Sequence, residues 1–540
     1  MKIERLAPLI ALVLICLGVF STGAFSGASG SDGLAARTGA GMVKGTLEDG
    51  ILVWKGIPFA APPVGALRWR PPQPVKPWDG LKDCSAFGPW CPQPKQELIH
   101  AEQGRMSEDC LYLNVWAPAK GGEKKLPVMV WIHGGGCTTG GGAARLYDGK
   151  RFARQGIVLV TINYRLGPFG FLAHPLLSKE SEHGVSGNYG LLDQIAALQW
   201  VRKNIGNLGG DPGCVTIFGE SAGSGSVSRL MVSPLAKGLF HRAIAESGGV
   251  YGRNRHLRKK WYDMKPMEEI GIDVAKALKC DRAKDPLHAM RAKTSDEILA
   301  ASRPAQGLFG GFAGDGVKYG WIVDGWVIPD DPGRMFRKGR VHNVPFMTGV
   351  NADEGTIFLP QLPLRTEMAY RLWMKKCFGN DADVALKLFP PDRKNIPATV
   401  NRFITVWAMA VPAKAMAADV ERLPGKSYLY YFTRVPPAAH KADRGAFHGL
   451  EIFYVFGNLD RRLGIDDFDE KLSGAMNTAW AAFAGGGVPG GNGFPEWPPY
   501  RAKNDEYMEF GNEVKVSSGF FQETYEFFEK YYDKLQSMLE

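Results

Sequence analysis

The sequence predicts an α/β protein: a central, mostly parallel β-sheet with helices on both faces. Three observations carry this. Nearly unbroken apolar runs at residues 128–132, 157–163 and 215–219 have the length and composition of strands buried on both sides. Between the second and third runs, residues 189–205 set Leu191, Leu192, Ile195, Leu198 and Val201 along one side of a helix. Strand and helix patterns then keep alternating, as a parallel sheet requires, because every crossover must carry the chain back to the same edge.

In chain order, residues 41–46 and 51–54 have β-hairpin character, and the proline-rich stretch 58–77 is irregular. Further strands are expected at 344–350, 428–433 and 506–510, with a C-terminal helix over 521–538. The looser, helical and loop-rich stretches 253–346 and 358–426 read as insertions above the sheet within one domain spanning 25–540. The start has the form of an export signal over 1–24: Lys2 and Arg5, an apolar run over 6–20, then small residues at Thr22, Ala24, Ser26 and Ala28. Cleavage after Ala24, or as late as Ala28, is expected. The run is short of the ~20 residues of a bilayer span, so a secreted or periplasmic chain with no stable membrane span is expected.

The net charge of +10 comes from scattered Lys and Arg, without the concentrated stripe of a nucleic-acid protein. The densest run, 253–260, reads as solvated surface, and so does the acidic run 466–470. The sequence has no H-E-x-x-H, C-x-x-C or EF-hand pattern, so neither a metal nor an organic cofactor is expected. Of the eight cysteines Cys16 lies in the leader, and the odd number that remains cannot all pair.

The sharpest chemical feature is Gly219-Glu220-Ser221-Ala222-Gly223, directly after the apolar run 215–218. A strand that turns abruptly into a helix at such a motif holds its serine strained and exposed. A second run, His133-Gly134-Gly135-Gly136, follows the strand at 128–132. Its glycines let backbone N–H groups approach a developing negative charge, and Gly135, Gly136 and Ala222 are the expected oxyanion donors. A phosphate cradle would need the glycine run to open a helix, whereas residues 137–142 (CTTGGG) read as loop. A serine nucleophile needs a base and an acid, in the order Ser, acid, His for this strand–turn–helix arrangement. His440 lies in a polar run and is expected to be exposed; His448, just before an apolar stretch and near the sheet edge, is the better base. The acid should follow the strand at 344–350, where Asp353 and Glu354 are both candidates.

The chain resembles the type-B carboxylesterase and cholinesterase family across nearly all of its length beyond the leader. The matching stretches are GIPFAAPPVGALRWRPP (56–72), SEDCLYLNVWAP (107–118), VMVWIHGGG (128–136), NYRLGPFGFL (163–172), GNYGLLDQIAALQWVRKNIGNLGGDP (187–212), VTIFGESAG (215–223), NADEG (351–355) and HGLEIFYVFG (448–457). The resemblance implies the α/β-hydrolase fold and hydrolysis of small-molecule carboxylic esters through an acyl-enzyme, with Ser221, Glu354 and His448 as the triad. It implies supporting hydrogen bonds at Glu220, Ser247 and Glu451, structural ion pairs Arg68–Glu108 and Arg165–Asp193, and a disulfide between Cys91 and Cys110. A second family disulfide has no counterpart, since Ala289 stands where Cys280 would find its partner.

Two departures bear on substrate. Cys137 stands where the family carries an aromatic residue after the glycines, and residues 92–109 contain no Trp, Tyr or Phe. A choline ester needs an aromatic face for its ammonium, so the chain is more similar to bacterial para-nitrobenzyl-esterase-like carboxylesterases than to cholinesterases. The stretch 178–193 is also similar to a bacterial branch containing a fumonisin esterase, which leaves bulky polyesters as an alternative substrate class beside carbamates, amides and lactones. Non-catalytic adhesion proteins on the same fold lack the nucleophile that is present here.

Overall fold

The apolar runs assemble into an eleven-stranded sheet. Along the chain its strands are β1 (Thr46–Glu48), β2 (Ile51–Pro58), β3 (Tyr112–Pro118), β4 (Leu126–Ile132), β5 (Val158–Ile162), β6 (Gly210–Glu220), β7 (Arg242–Glu246), β8 (Phe346–Asn351), β9 (Ser427–Phe432), β10 (Glu506–Phe510) and β11 (Val514–Ser518). Their order across the sheet is β1-β2-β3-β5-β4-β6-β7-β8-β9-β10-β11. Pairing is parallel from β5 through β10 and antiparallel at the two flanks. This is the expected α/β-hydrolase architecture. The computed structural model describes residues 33–95, 104–119, 124–252, 254–261, 264–302, 319–491 and 495–537, so the leader expected over 1–24 lies outside the described residues.

Strand alternation divides the core. Val128, Val130 and Ile132 of β4 point to one face with Val158, Val160, Ile162, Val215 and Ile217. Met129 and Trp131 point to the other with Leu159, Phe218, Ile244 and Met347. The helix Tyr189–Asn204 covers the first face through Leu191, Ile195, Leu198 and Val201. The helices Leu450–Phe456 and Asp467–Gly486 cover the second through Phe456, Leu472, Met476 and Trp480. Each fully buried side chain of this size contributes about 1.5–3 kcal/mol.

Three expectations are corrected. The hairpin partner of β2 is Thr46–Glu48 and not the whole of 41–46: Glu48 pairs with Ile51 around Asp49 and Gly50, both at positive φ, as a tight two-residue turn demands. Gly41–Lys44 pairs instead with Ala35–Thr38 in a separate small sheet. The acidic run 466–470 is not wholly solvated: Asp466 caps its helix, and Asp469 is buried against Arg434 (2.7 Å) and the Tyr454 hydroxyl (2.7 Å). Within 253–260, His256 and Arg255 pair with Ile322 and Val323, and Leu257 is buried, leaving Arg258 to Lys260 exposed.

One helix among the described residues, Ile396–Glu421, is long and apolar enough to cross a membrane, but 83 % of its apolar window is buried inside the fold. It contains a π-helical turn, Ile404–Ala410.

Parallel pairing places the functional loops. Ile132, Gly219, Ala245 and Thr348 lie in one row across four neighbouring strands. β4, β6, β7 and β8 end at this row or within three residues of it, at Ile132, Glu220, Glu246 and Asn351, so their following loops leave at the same carboxyl edge, where α/β sheets gather their ligand-binding loops.

Candidate active site

β6 ends at Glu220 and the helix Ala222–Leu230 begins two residues later, so the reversal falls on Ser221. Its backbone takes φ 56 and ψ −117, outside the regions open to ordinary residues. Such a conformation costs on the order of 1–3 kcal/mol and persists only where its surroundings enforce it. Here the Ser221 N–H donates to the Glu246 carbonyl of the neighbouring strand (2.9 Å), and the Ser221 carbonyl accepts from Gly225 (2.9 Å). The flanking glycines are obligatory. A Cβ on Gly219 would lie 2.5 Å from the Ile132 carbonyl oxygen, and one on Gly223 only 1.9 Å from it. Ser221 remains half-exposed while almost everything around it is buried.

β8 delivers the two acids, and the structure separates their tasks. Asp353 is taken up with neighbouring segments: its carboxylate accepts from the Asn401 side-chain Nδ2 (2.9 Å) and the Ala446 N–H (2.9 Å). Glu354 turns inward, accepts the Asn351 N–H on Oε1 (2.7 Å) and meets His448 Nδ1 on Oε2 at 2.5 Å. His448 enters from the loop before Leu450–Phe456. Asp353 and Phe447 form a β-bridge, which sets the imidazole in a loop just past the carboxyl end of β8. Phe358 packs on the ring at 5.1 Å, and His440 is exposed. His448 Nε2 lies 3.1 Å from Glu220 Oε1 and makes no hydrogen bond, so it is not yet engaged by the Ser221 hydroxyl. Such bonds are often long until substrate closes the site.

Buried carboxyls surround this imidazole. Ser247 Oγ donates to Glu451 Oε1 (3.1 Å), and Asn351 Nδ2 donates to Glu451 Oε2. Trp480 Nε1 donates to Glu246 Oε1 (2.7 Å). Burial pushes Glu220 up to about 7 against the attraction of His448, with Glu354 adding to the rise. Burial, opposed by the Trp480 hydrogen bond, pushes Glu246 up to about 8, and it drives Glu451 well above the carboxylate range. His448 moves the other way for a base. Burial disfavours its imidazolium, but the charges of Glu220 and Glu354 outweigh burial and raise it.

The glycine loop after β4 lies against the serine: a Cβ on Gly134 would sit 3.2 Å from Ser221 Cβ and 2.7 Å from Glu220 Oε2. Gly135 and Gly136 adopt φ of 98 and 62. Among the described residues, no protein acceptor takes the N–H of Gly135, Gly136 or Ala222. The strand–serine–helix turn, the buried His–Glu pair and the unclaimed amides thus stand together at the carboxyl edge of the sheet.

The carboxylesterase family pattern matches residues 33–528. The chain is 38 % identical over 496 residues to a fumonisin B1 esterase of Sphingopyxis macrogoltabida, covering 90 % of this chain and 88 % of the relative. It is 36 % identical over 497 residues to the para-nitrobenzyl esterase of Bacillus subtilis (strain 168), covering 88 % and 95 %. Its structure is similar to that of a solved thermophilic PNB esterase, with a TM-score of 0.79 at 33 % identity over 92 % of this chain and 99 % of that one. The chain belongs to the carboxylesterase family. It is a carboxylic ester hydrolase, acting on small-molecule esters.

Both ion pairs implied by the resemblance are present in this carboxylesterase. Arg68 donates through Nε (2.7 Å) and Nη2 (2.5 Å) to Glu108, and Arg165 through Nε (2.8 Å) and Nη2 (2.7 Å) to Asp193. The implied Cys91–Cys110 disulfide is not formed: both are buried thiols, and the Leu166 N–H donates to Cys91 Sγ (3.2 Å). They are adjacent, since the hydrogen bond that the Cys110 thiol shares with Cys91, with burial, raises Cys110 well above the thiol range. Cys137 is buried at positive φ with its carbonyl accepting from Gly167 (2.7 Å). Burial pushes its thiol up to about 12 against the pull of Arg229, so it stays un-ionised at neutral pH. Sequence reasoning missed Glu246, which no motif marks, and Gln93, whose side chain brackets Gly140 by accepting its N–H (2.7 Å) and donating to its carbonyl (2.8 Å).

Proposed function

We propose that this carboxylesterase works through a Ser221–His448–Glu354 triad and an acyl-enzyme. Ser221 Oγ attacks the ester carbonyl while His448 Nε2 takes its proton. Glu354 holds the imidazole in the tautomer that leaves Nε2 free to accept. The N–H groups of Gly135, Gly136 and Ala222 stabilise the oxyanion. His448 returns the proton to the leaving alcohol, and water then repeats the sequence to release the acid. Glu220 keeps the imidazolium that forms between steps electrostatically favoured, and Glu451, held by Ser247 and Asn351, supports the site through its hydrogen bonds. The observation that carries this reading is the strained Ser221 turn standing beside a histidine already bound through Nδ1 to a buried glutamate.

An alkyl phosphonate bearing a p-nitrophenyl leaving group tests it. Ser221 should be phosphonylated one to one with loss of activity, seen as a mass shift on the peptide that contains it. Folded Ser221→Ala should take up no label and hydrolyse no p-nitrophenyl ester; wild-type activity in that variant would overturn the mechanism.

The same reading extends to compartment and substrate. The leader over 1–24 directs the chain to a secreted or periplasmic location, where Cys91 and Cys110 oxidise to the disulfide. Without an aromatic residue over 92–109, choline esters are poor substrates. Its similarity to a fumonisin B1 esterase supports a second substrate class, bulky polyesters. A panel of p-nitrophenyl esters of rising chain length, run beside choline esters and fumonisin B1, separates these readings.

A further inference from the structure

Four donors converge on one carbonyl in the glycine loop. The Gly135 oxygen accepts from the N–H groups of Thr138 (3.1 Å) and Thr139 (3.0 Å), and from the hydroxyls of Thr138 (3.2 Å) and Thr139 (3.1 Å). A carbonyl has two lone pairs, so two backbone donors already satisfy it. The hydroxyls therefore do something other than complete a hydrogen-bond count.

The peptide plane supplies the reason. In a trans peptide the C=O and N–H point to opposite sides of a rigid plane. Whatever fixes the Gly135 oxygen therefore fixes the direction of the Gly136 N–H. This peptide lies between two glycines at φ of 98 and 62, and glycine populates both signs of φ with little preference. Nothing in the two residues themselves prevents the plane from flipping, which would turn the N–H away from the site. The threonines grip the oxygen from one side. The loop abuts the serine: a Cβ on Gly134 would sit 3.2 Å from Ser221 Cβ. Gly136 is exposed and its N–H is unclaimed among the described residues. Behind the threonines, Gln93 anchors Gly140 through both ends of its amide, so the brace is held at its far end as well.

We propose that Thr138 and Thr139 are positioning residues: their hydroxyls lock the Gly135–Gly136 peptide so that the Gly136 N–H stays aimed at the carbonyl oxygen as it becomes negative. This rests on the Ser221 reading above. It predicts a contribution that is present in the transition state and nearly absent when substrate is merely bound.

The test replaces both hydroxyls at constant shape. Thr138→Val/Thr139→Val should lower kcat on a p-nitrophenyl ester by about 10-fold or more, short of the 100- to 1,000-fold for deleting a donor outright. KM should stay within about 2-fold, because ground-state binding does not use the oxyanion contact. A trifluoromethyl ketone adds the Ser221 oxygen to its carbonyl, passes the proton to His448 and leaves an oxyanion in the loop. Its affinity should fall by the same factor as kcat. The pH dependence should not move, since His448 is untouched, and Thr138→Ser/Thr139→Ser should restore kcat to within about 3-fold. Should the double valine variant fail to fold, the single variants are read in the same way, each with a smaller loss. A folded valine variant that keeps kcat and ketone affinity overturns the brace. So does a loss of kcat without a loss of ketone affinity, or one that serine does not rescue. If the wild-type protein is not phosphonylated at Ser221, the catalytic reading itself has failed; if it is, these outcomes bear on the threonines alone.

Discussion

The protein buries two clusters of charge, and they are built on opposite rules. In Arg165–Asp193 every charged atom has a partner: Nε and Nη2 reach the two carboxylate oxygens, Nη1 reaches the Arg70 carbonyl (2.8 Å), and the Arg165 N–H adds a further bond to Asp193 (3.0 Å). Around His448 the balance is deliberately poor. Glu220, Glu354 and Glu451 stand near one imidazole with Glu246 beside Glu220, and His448 Nε2, Glu220 Oε1 and Glu246 Oε2 are buried with no hydrogen bond at all. A satisfied pair holds a fold; an unsatisfied one keeps groups ready to change partner during a reaction. Substitutions in each cluster should therefore fail in different currencies, activity in one and stability in the other.

The largest effect belongs to Glu354→Gln. It preserves size and the bond from the Asn351 N–H, but it can no longer stabilise the imidazolium or hold the productive tautomer. The expected loss in kcat is about four orders of magnitude with the fold retained, read as p-nitrophenyl ester turnover beside circular dichroism. A loss below 10-fold would mean that the His448–Glu354 contact is structural, and the contrast between the clusters would disappear.

Asp193→Asn should do the reverse. It leaves Arg165 charged and buried with half its compensation, at a cost of about 3–5 kcal/mol. The midpoint of urea unfolding should fall accordingly, while kcat per folded molecule stays near that of the wild-type protein. If activity collapsed before stability, the pair would belong to the site.

A third place tests the border between them. Cys91 and Cys110 are buried thiols side by side, and Cys110 is held un-ionised by Cys91 and by burial. The thiolate is the reactive form, so folded reduced protein should react slowly with a thiol reagent. Protein exported to an oxidising compartment should instead carry the bond. It should be more stable by about 3 kcal/mol, the chain-entropy value for a loop of this length. Equal unfolding midpoints with and without reductant would remove the disulfide from the stability account.

The contrast also explains what sequence could reveal. Strands β4, β5 and β6 are buried on both faces, and burial on both faces leaves a continuous apolar run that can be read directly. The serine elbow was equally visible, because its glycines answer contacts as close as 1.9 Å and no other residue fits. The flanking β3 and β11 were not legible. β11 carries Lys515, Ser517 and Ser518 among half-exposed residues, which is the pattern of a loop as much as of an edge strand. Asp469 reads as surface in an acidic run because its burial depends on Arg434, thirty-five residues away. Asp353 and Glu354 are indistinguishable until the Ala446 N–H and Asn401 claim the first of them. Local chemistry was legible wherever the constraint was local, and illegible wherever the partner came from another part of the chain.

The smallest effect is also the most diagnostic of the unsatisfied cluster. Glu220 Oε1 faces His448 Nε2 at 3.1 Å, and its negative charge is the leading influence holding the imidazolium against burial. Glu220→Gln keeps the shape and removes the charge. The imidazolium then loses stabilisation, and the pKa of His448 falls. In the proposed mechanism the base acts as neutral imidazole, so the acid limb of kcat/KM should move to lower pH, by roughly one unit if the carboxylate contributes about 1.4 kcal/mol. The plateau rate should fall by about 10-fold, because the same charge stabilises the imidazolium that forms as Ser221 is deprotonated. Glu220 itself is pushed up to about 7 by burial, so the wild-type limb should be broad, with two groups titrating together, and that of the variant closer to a single ionisation. Asp193→Asn provides the control: its partner is always charged, and its limb should coincide with that of the wild-type protein. A limb that stays in place in Glu220→Gln, or moves to higher pH, would mean that the carboxylate facing Nε2 is neutral throughout and that the cluster is a packing arrangement after all.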